Sequence, residues 1–195
     1  MSAPYLLIKA DATEIPLSEG SIGLVIATPP HLGEPRCHRR EFCTSNEEEY
    51  EGLIARFLAE AARIVEPRGY VLLNTSRSRR RNPKVFRVFQ KRVRLGQSRL
   101  ATIKLERFHA HHANVKDFAW EALPLHLYRT LIRRYSQAGA KVAHVFSGSG
   151  NGGIAALELG RKPILIDLHY HRQMRKRLSR IAGPRRKAAK GWKRR

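Results

Sequence analysis

The turn Phe146-Ser-Gly-Ser-Gly-Asn-Gly-Gly153 lies between a predicted strand and a predicted helix. Glycines in such a turn let the backbone approach a ligand closely, and the helix start behind it offers free N–H groups. Its spacing is not G-x-G-x-x-G and no Gly-Lys-Ser/Thr follows, so neither a dinucleotide dehydrogenase nor a P-loop is indicated. The next strand ends in Asp167, where a carboxylate is placed to accept from ribose hydroxyls. The alternative reading of the turn alone is a tight reversal, and Asp167 alone reads first as a helix N-cap. A second group, Thr28-Pro29-Pro30-His31, closes an apolar run. Proline has no N–H for a ladder, so the pair marks a stiff exit from a strand. His109, His111 and His112 lie close together, and Cys37-His38 sits between His31 and Cys43. Neither cluster has paired C-x-x-C or H-x-x-x-H spacing, so surface or phosphate-contacting histidines are expected and a metal is not.

The elements that position these groups fall into two blocks. In the first, residues 5–8 form a short strand and residues 21–27 a fully buried one that runs into Thr28. A helix is signalled from Asn46 by Glu47, Glu48 and Glu49 at its positive end, with Leu53, Ile54, Phe57, Leu58, Ala61 and Ile64 at helical spacing. Arg68-Gly69 ends that unit and residues 70–73 form a further strand, the strand–loop–helix–strand order of a parallel sheet. The middle, to about residue 113, is only weakly periodic, and Val85, Phe86, Val88, Phe89 and Val93 fit either short strands or an amphipathic piece. The second block opens near Phe118, with a helix over residues 123–135 and a strand over 142–146. The glycine turn follows, then a helix over 152–159, a strand over 163–166 and a basic helix to about Ile181. The tail, 183–195, is a Gly/Pro/Lys/Arg segment of the kind that stays disordered.

Charge adds a partner. Of 38 basic and 16 acidic residues, 24 basic and 1 acidic lie in residues 75–107 and 172–195, leaving a near-neutral 14 and 15 elsewhere. Basic stretches that concentrated neutralise phosphates and release counterions, so a nucleic acid is the expected partner. No apolar run approaches the ~20 residues of a membrane-crossing helix, the N-terminal residues do not read as a secretory signal, and the two cysteines suit a reducing compartment. A cytoplasmic, membrane-free location is expected.

The run from Val145 to Arg161 resembles the S-adenosylmethionine-binding motif of adenine-N6 and cytosine-N4 DNA methyltransferases. That motif usually reads Asp-Pro-Phe-Ala-Gly-Ser-Gly, followed by a small-residue helix and a strand ending in an acid. The approach from Ile15 and the Thr28-Pro29-Pro30-His31 loop resemble the family's catalytic signature, an acid, Ser or Asn followed by Pro-Pro and an aromatic. The resemblance implies cofactor contacts from Phe146, Ser147, Gly148, Ser149 and Gly150, ribose contacts from Asp167, adenine contacts from Asp11, and catalysis by Thr28, Pro29, Pro30 and His31. The chemistry suits these residue types. An exocyclic amine is a poor nucleophile because its lone pair is delocalised into the ring, and fixed acceptors on its hydrogens localise and aim that pair. The aromatic then stacks on a base flipped from the duplex. Thr28 in place of Ser leans toward cytosine N4 over adenine N6. His31 stacks less well than Tyr, Phe or Trp. His144 stands where the family has Asp, a position implied to meet the cofactor's amino group, and a cation there repels it.

The Pro-Pro block precedes the glycine turn, and only one later strand is evident after that turn, so the upstream block must complete the sheet. This order resembles the permuted, or beta, class of the family. It implies a circularly permuted Rossmann-like α/β methyltransferase fold with a mostly parallel central sheet flanked by helices. Residues 1–182 are expected as one domain: a catalytic half 1–74, a short basic recognition segment 75–113, and a cofactor half 114–182. Phosphate contacts from Arg77, Arg79, Arg80 and Arg81 leave few side chains to read bases, so recognition is expected to be of low specificity or helped by homodimerisation. The expected activity is methyl transfer from S-adenosylmethionine to double-stranded DNA, as in restriction–modification. A decayed, DNA-binding version of the same fold and an RNA methyltransferase remain open at this level.

Overall fold

The computed structural model describes residues 4–30, 46–75, 84–94, 97–108 and 122–182. Its elements run β1 (Leu6–Lys9), β2 (Ile22–Ala27), α1 (Glu47–Ile64), β3 (Val65–Asn74), β4 (Lys84–Arg94), β5 (Gln97–Phe108), α2 (Leu125–Tyr135), β6 (Lys141–Val145), α3 (Asn151–Glu158), β7 (Lys162–Asp167) and α4 (His171–Ala182). The strands form one sheet in the order β1-β7-β6-β2-β3-β4-β5. Pairing is parallel from β1 through β3, and β4 and β5 complete the sheet antiparallel.

Strands covered on both faces need apolar side chains at successive positions, and the inner strands supply them. Leu24, Val25, Ile26 and Ala27 of β2, Val142, Ala143 and Val145 of β6, and Leu165 and Ile166 of β7 are all buried. On one face α1 lays Phe57, Ala61 and Ile64 over Val25, Val71 and Ile166. On the other, α2 and α3 cover Leu24, Ile26 and Leu72, and α4 seats Met174 and Leu178 against Ile154 and Leu165. Asn46 caps α1 by accepting from the amides of Glu48 and Glu49, where three glutamates meet the positive helix end. The helix passes into β3 without a loop. Arg68 takes a left-handed φ of 67° at the kink that follows, and a Cβ on Gly69 would lie 2.8 Å from Val65 and 2.9 Å from the Gly23 carbonyl.

The weakly periodic middle is a β-hairpin. Phe86 and Val88 are buried on the α2 side and Phe89 on the α1 side. Two features disguise it in the sequence: a register shift between Val88 and Phe89 breaks the alternation, and Lys91 turns inward, its ammonium donating to the Val65 carbonyl at 2.9 Å. Residues 84–94 and 97–108 are therefore an integral part of the sheet. The tail expected to be disordered lies outside the described residues.

Arg63 fastens the segment leading to β2. Its guanidinium donates to the carbonyls of Leu17 at 2.7 Å and Ile15 at 2.6 Å and pairs with Glu60, which accepts from the Ile15 amide at 2.8 Å. Arg63→Ala strands two carbonyls and a carboxylate together. It should lower unfolding stability by about 1–3 kcal/mol, read as a reduced urea midpoint with unchanged m-value.

Candidate active site at the carboxyl edge of the sheet

β2 and β6 are neighbours, with Ala27 opposite Val145. One residue further on, the Thr28 amide donates to the Val145 carbonyl at 3.3 Å and the Thr28 hydroxyl to the Phe146 carbonyl at 3.0 Å, across 118 residues of sequence. The proline corner and the glycine turn thus start from one junction. Pro29 is buried and Pro30 half-buried. His31 lies outside the described residues, as do Arg77, Arg79, Arg80 and Arg81 and the clusters around Cys37, Cys43 and His109.

The turn is held at nearly every residue. Phe146 adopts φ 54°, and Gly148 and Gly150 take φ 46° and 77°. For a residue with a Cβ this conformation costs about 1–2 kcal/mol. The Phe146 ring is anchored edge-on against Phe57 with centroids 5.7 Å apart. The Ser147 hydroxyl donates to the Ile166 carbonyl at 3.1 Å and the Gly150 amide to the Ser147 carbonyl at 2.8 Å. Arg177 donates to the Ser149 carbonyl and, at 2.6 Å, to Asn151 Oδ1. Asn151 in turn donates to the Leu123 carbonyl at 2.8 Å. Gly150, at the start of α3, has no side chain to cap the first helical amides.

The two carboxylates stand at the ends of adjacent strands, Asp167 closing β7 opposite Lys9 and Asp11 two residues beyond Lys9. Asp167 Oδ2 accepts from the Gly148 amide at 2.8 Å, while Oδ1 accepts from His169 at 2.9 Å and Tyr170 at 3.5 Å. The turn-capping role and a place beside the glycine turn therefore coexist in one side chain. Exposed Asp11 accepts from the amide and hydroxyl of Thr13, each at 2.8 Å.

His144 corrects the expectation of a repelling cation. Its ring is fully buried, and burial alone depresses its pKa from 6.5 to about 3, so the imidazole is neutral. Nε2 stands 3.3 Å from both the Thr28 hydroxyl and the Tyr128 hydroxyl. The Thr28 proton is committed to Phe146, so the Nε2–H tautomer is the one that suits this pair. Nδ1 is then left as a bare lone pair, without a partner among the described residues, facing Gly152. A Cβ there would come within 2.5 Å of Nδ1. Tyr128 is also fully buried, which raises its hydroxyl pKa.

Sequence reasoning missed Tyr128, Asn151 and Arg177. The first is one of the buried residues of α2, the second stands within the glycine turn without being singled out, and the third counted only as charge.

No protein-family model matches the chain, and no curated protein matches it. Solved structures do. TTHA0409 from Thermus thermophilus, assigned as a DNA modification methylase, aligns with TM-score 0.59 at 20% identity over 92% of this chain and 96% of that one. PvuII DNA methyltransferase, cytosine-N4-specific, aligns with TM-score 0.58 at 12% identity over 96% and 90%. The M1.HpyAVI–SAM complex aligns with TM-score 0.53 at 17% identity over 89% and 98%. Together with the strand order, these likenesses show the fold: a Rossmann-like α/β methyltransferase fold with the turn-bearing strand sixth in the chain and central in the sheet.

Two outcomes follow from the His144 environment. Unfolding lets His144 take up a proton below its ordinary pKa of 6.5, so the stability gained from a neutral ring is complete above that pH and lost as pH falls toward about 3. Denaturation midpoints between about pH 7 and 4 should therefore fall more steeply in the wild type than in His144→Gln, by up to ~1.4 kcal/mol per pH unit. Gly152→Ala should cost about 1–3 kcal/mol through overpacking, and much of that loss should disappear in the His144→Ala background.

Proposed function

We propose that the protein is an S-adenosylmethionine-dependent DNA methyltransferase acting on an exocyclic amino group, cytosine N4 or adenine N6, of a flipped base. The observation that carries this reading is the Thr28–Phe146 junction, which brings the proline corner and the glycine turn together at one edge of a methyltransferase fold.

The residues present fit the cofactor. The turn combines left-handed backbone with small side chains, so a ligand can approach its backbone closely. Asp167 and Asp11 stand at the ends of neighbouring strands beside it and supply acceptors for ribose hydroxyls and an adenine amine. When bound, the cofactor supplies an electrophilic methyl group on a sulfonium. Thr28, Pro29 and Pro30 hold backbone carbonyls in a fixed array as acceptors for amine hydrogens. The Thr28 hydroxyl donates to Phe146 and its oxygen already faces His144 Nε2, so only its remaining lone pair can serve as a further acceptor. Stacking on the target base is assigned to His31. Burial keeps the His144 ring neutral, so it adds no positive charge next to the turn.

Calorimetry should show S-adenosylmethionine binding, weakened about 10–100-fold in Asp167→Ala, the range expected for losing a charged hydrogen-bond acceptor. Transfer of labelled methyl to duplex DNA should fall on the order of 10²-fold in Thr28→Val. The proposal fails if cofactor at millimolar concentration does not bind, or if RNA is labelled and DNA is not.

A further inference from the structure

Helix α4 has two functions to reconcile. Its inward face is fully used: Met174 and Leu178 are buried among Ile154 and Leu165, with Tyr5 and Leu7 packed beside them, and Arg177 reaches in to the glycine turn. Its outward face carries Arg172, Arg175, Lys176 and Ser179 at i, i+3, i+4 and i+7, all exposed, with exposed Arg180 beyond them. His171 and the first four of these residues line one shallow concavity. The helix contains no acid.

We propose that this outward stripe is a contact for the phosphate backbone of double-stranded DNA, separate from the base-accepting corner. Three geometric facts support it. The stripe spans about 10 Å of helix, against a rigid rod with one phosphate every ~3.4 Å per strand. It begins within a few residues of Asp167, the end of β7, at the sheet edge that also carries the proline corner. The apolar face of α4 is consumed by the core, which leaves nothing to insert into a lipid surface, as a membrane-binding amphipathic helix requires. The choice of DNA as the polyanion rests on the proposed function; the existence of the surface does not.

The test uses the full chain and a labelled duplex of about 20 base pairs and arbitrary sequence, with anisotropy read between about 50 and 200 mM salt. The variant Arg172→Ala/Arg175→Ala/Lys176→Ala is compared with Arg133→Ala/Lys141→Ala/Lys162→Ala, which removes the same charge from exposed positions on α2, β6 and β7. Circular dichroism melting confirms that both fold. The stripe variant should bind on the order of tenfold more weakly, with a log–log salt slope shallower by about 2–3, while the control stays within about threefold of wild type. Equal losses in both variants would overturn the proposal, as would no loss in the stripe variant, or tighter binding to RNA or anionic vesicles than to the duplex. Calorimetry with S-adenosylmethionine keeps the two claims apart. If cofactor fails to bind while the stripe variant still loses DNA, the methyl-transfer reading falls and the surface stands.

Discussion

The organisation of this molecule depends on the contact between the ends of two parallel strands. β2 and β6 lie side by side, and where their ladder stops Thr28 extends it, amide to Val145 and hydroxyl to Phe146. Parallel pairing makes both strands end at the same edge, so whatever follows each must share that edge. Two prolines follow one and a glycine turn the other. The helices, the hairpin and the Arg63 clamp all keep these two central strands covered and in register.

The edge itself is costly to build. Phe146 sits in a left-handed conformation, Nδ1 of His144 is buried with no partner among the described residues, and the turn bends through successive glycines. Strain of this kind persists only where the surroundings over-determine it, and here they do so from several elements at once. Phe57 of α1 holds the Phe146 ring, Arg177 of α4 holds the Ser149 carbonyl, Asp167 holds the Gly148 amide, and Tyr128 of α2 sits against His144. Helices α1, α2 and α4 therefore each cover the sheet and also reach its edge with one side chain.

Sequence reasoning was strong where one residue type has one use and weak where context decides. The apolar runs of β2 and β7, the glutamates opening α1 and the glycine turn were legible because burial on two faces, a helix dipole and left-handed backbone each select a narrow set of residues. The hairpin was not, because Lys91 points inward to a backbone carbonyl and a register shift breaks the alternation of Phe86, Val88 and Phe89. The charge state of His144 was misjudged for a related reason. A histidine in a sequence has its solution pKa, and only the burial of the folded ring shows that the neutral form is favoured.

The order of the strands along the chain has a consequence for how the molecule comes into being. One of the two strands flanking β2, β6, is made more than a hundred residues after it. Until that partner arrives, the most apolar strand of the molecule has one bare edge, and the first block of the chain cannot close its sheet. Synthesis of this chain thus passes through a long interval with an unsatisfied centre. During that interval an apolar strand edge is open to wrong pairing, the hazard that unpaired edges bring in any incomplete sheet.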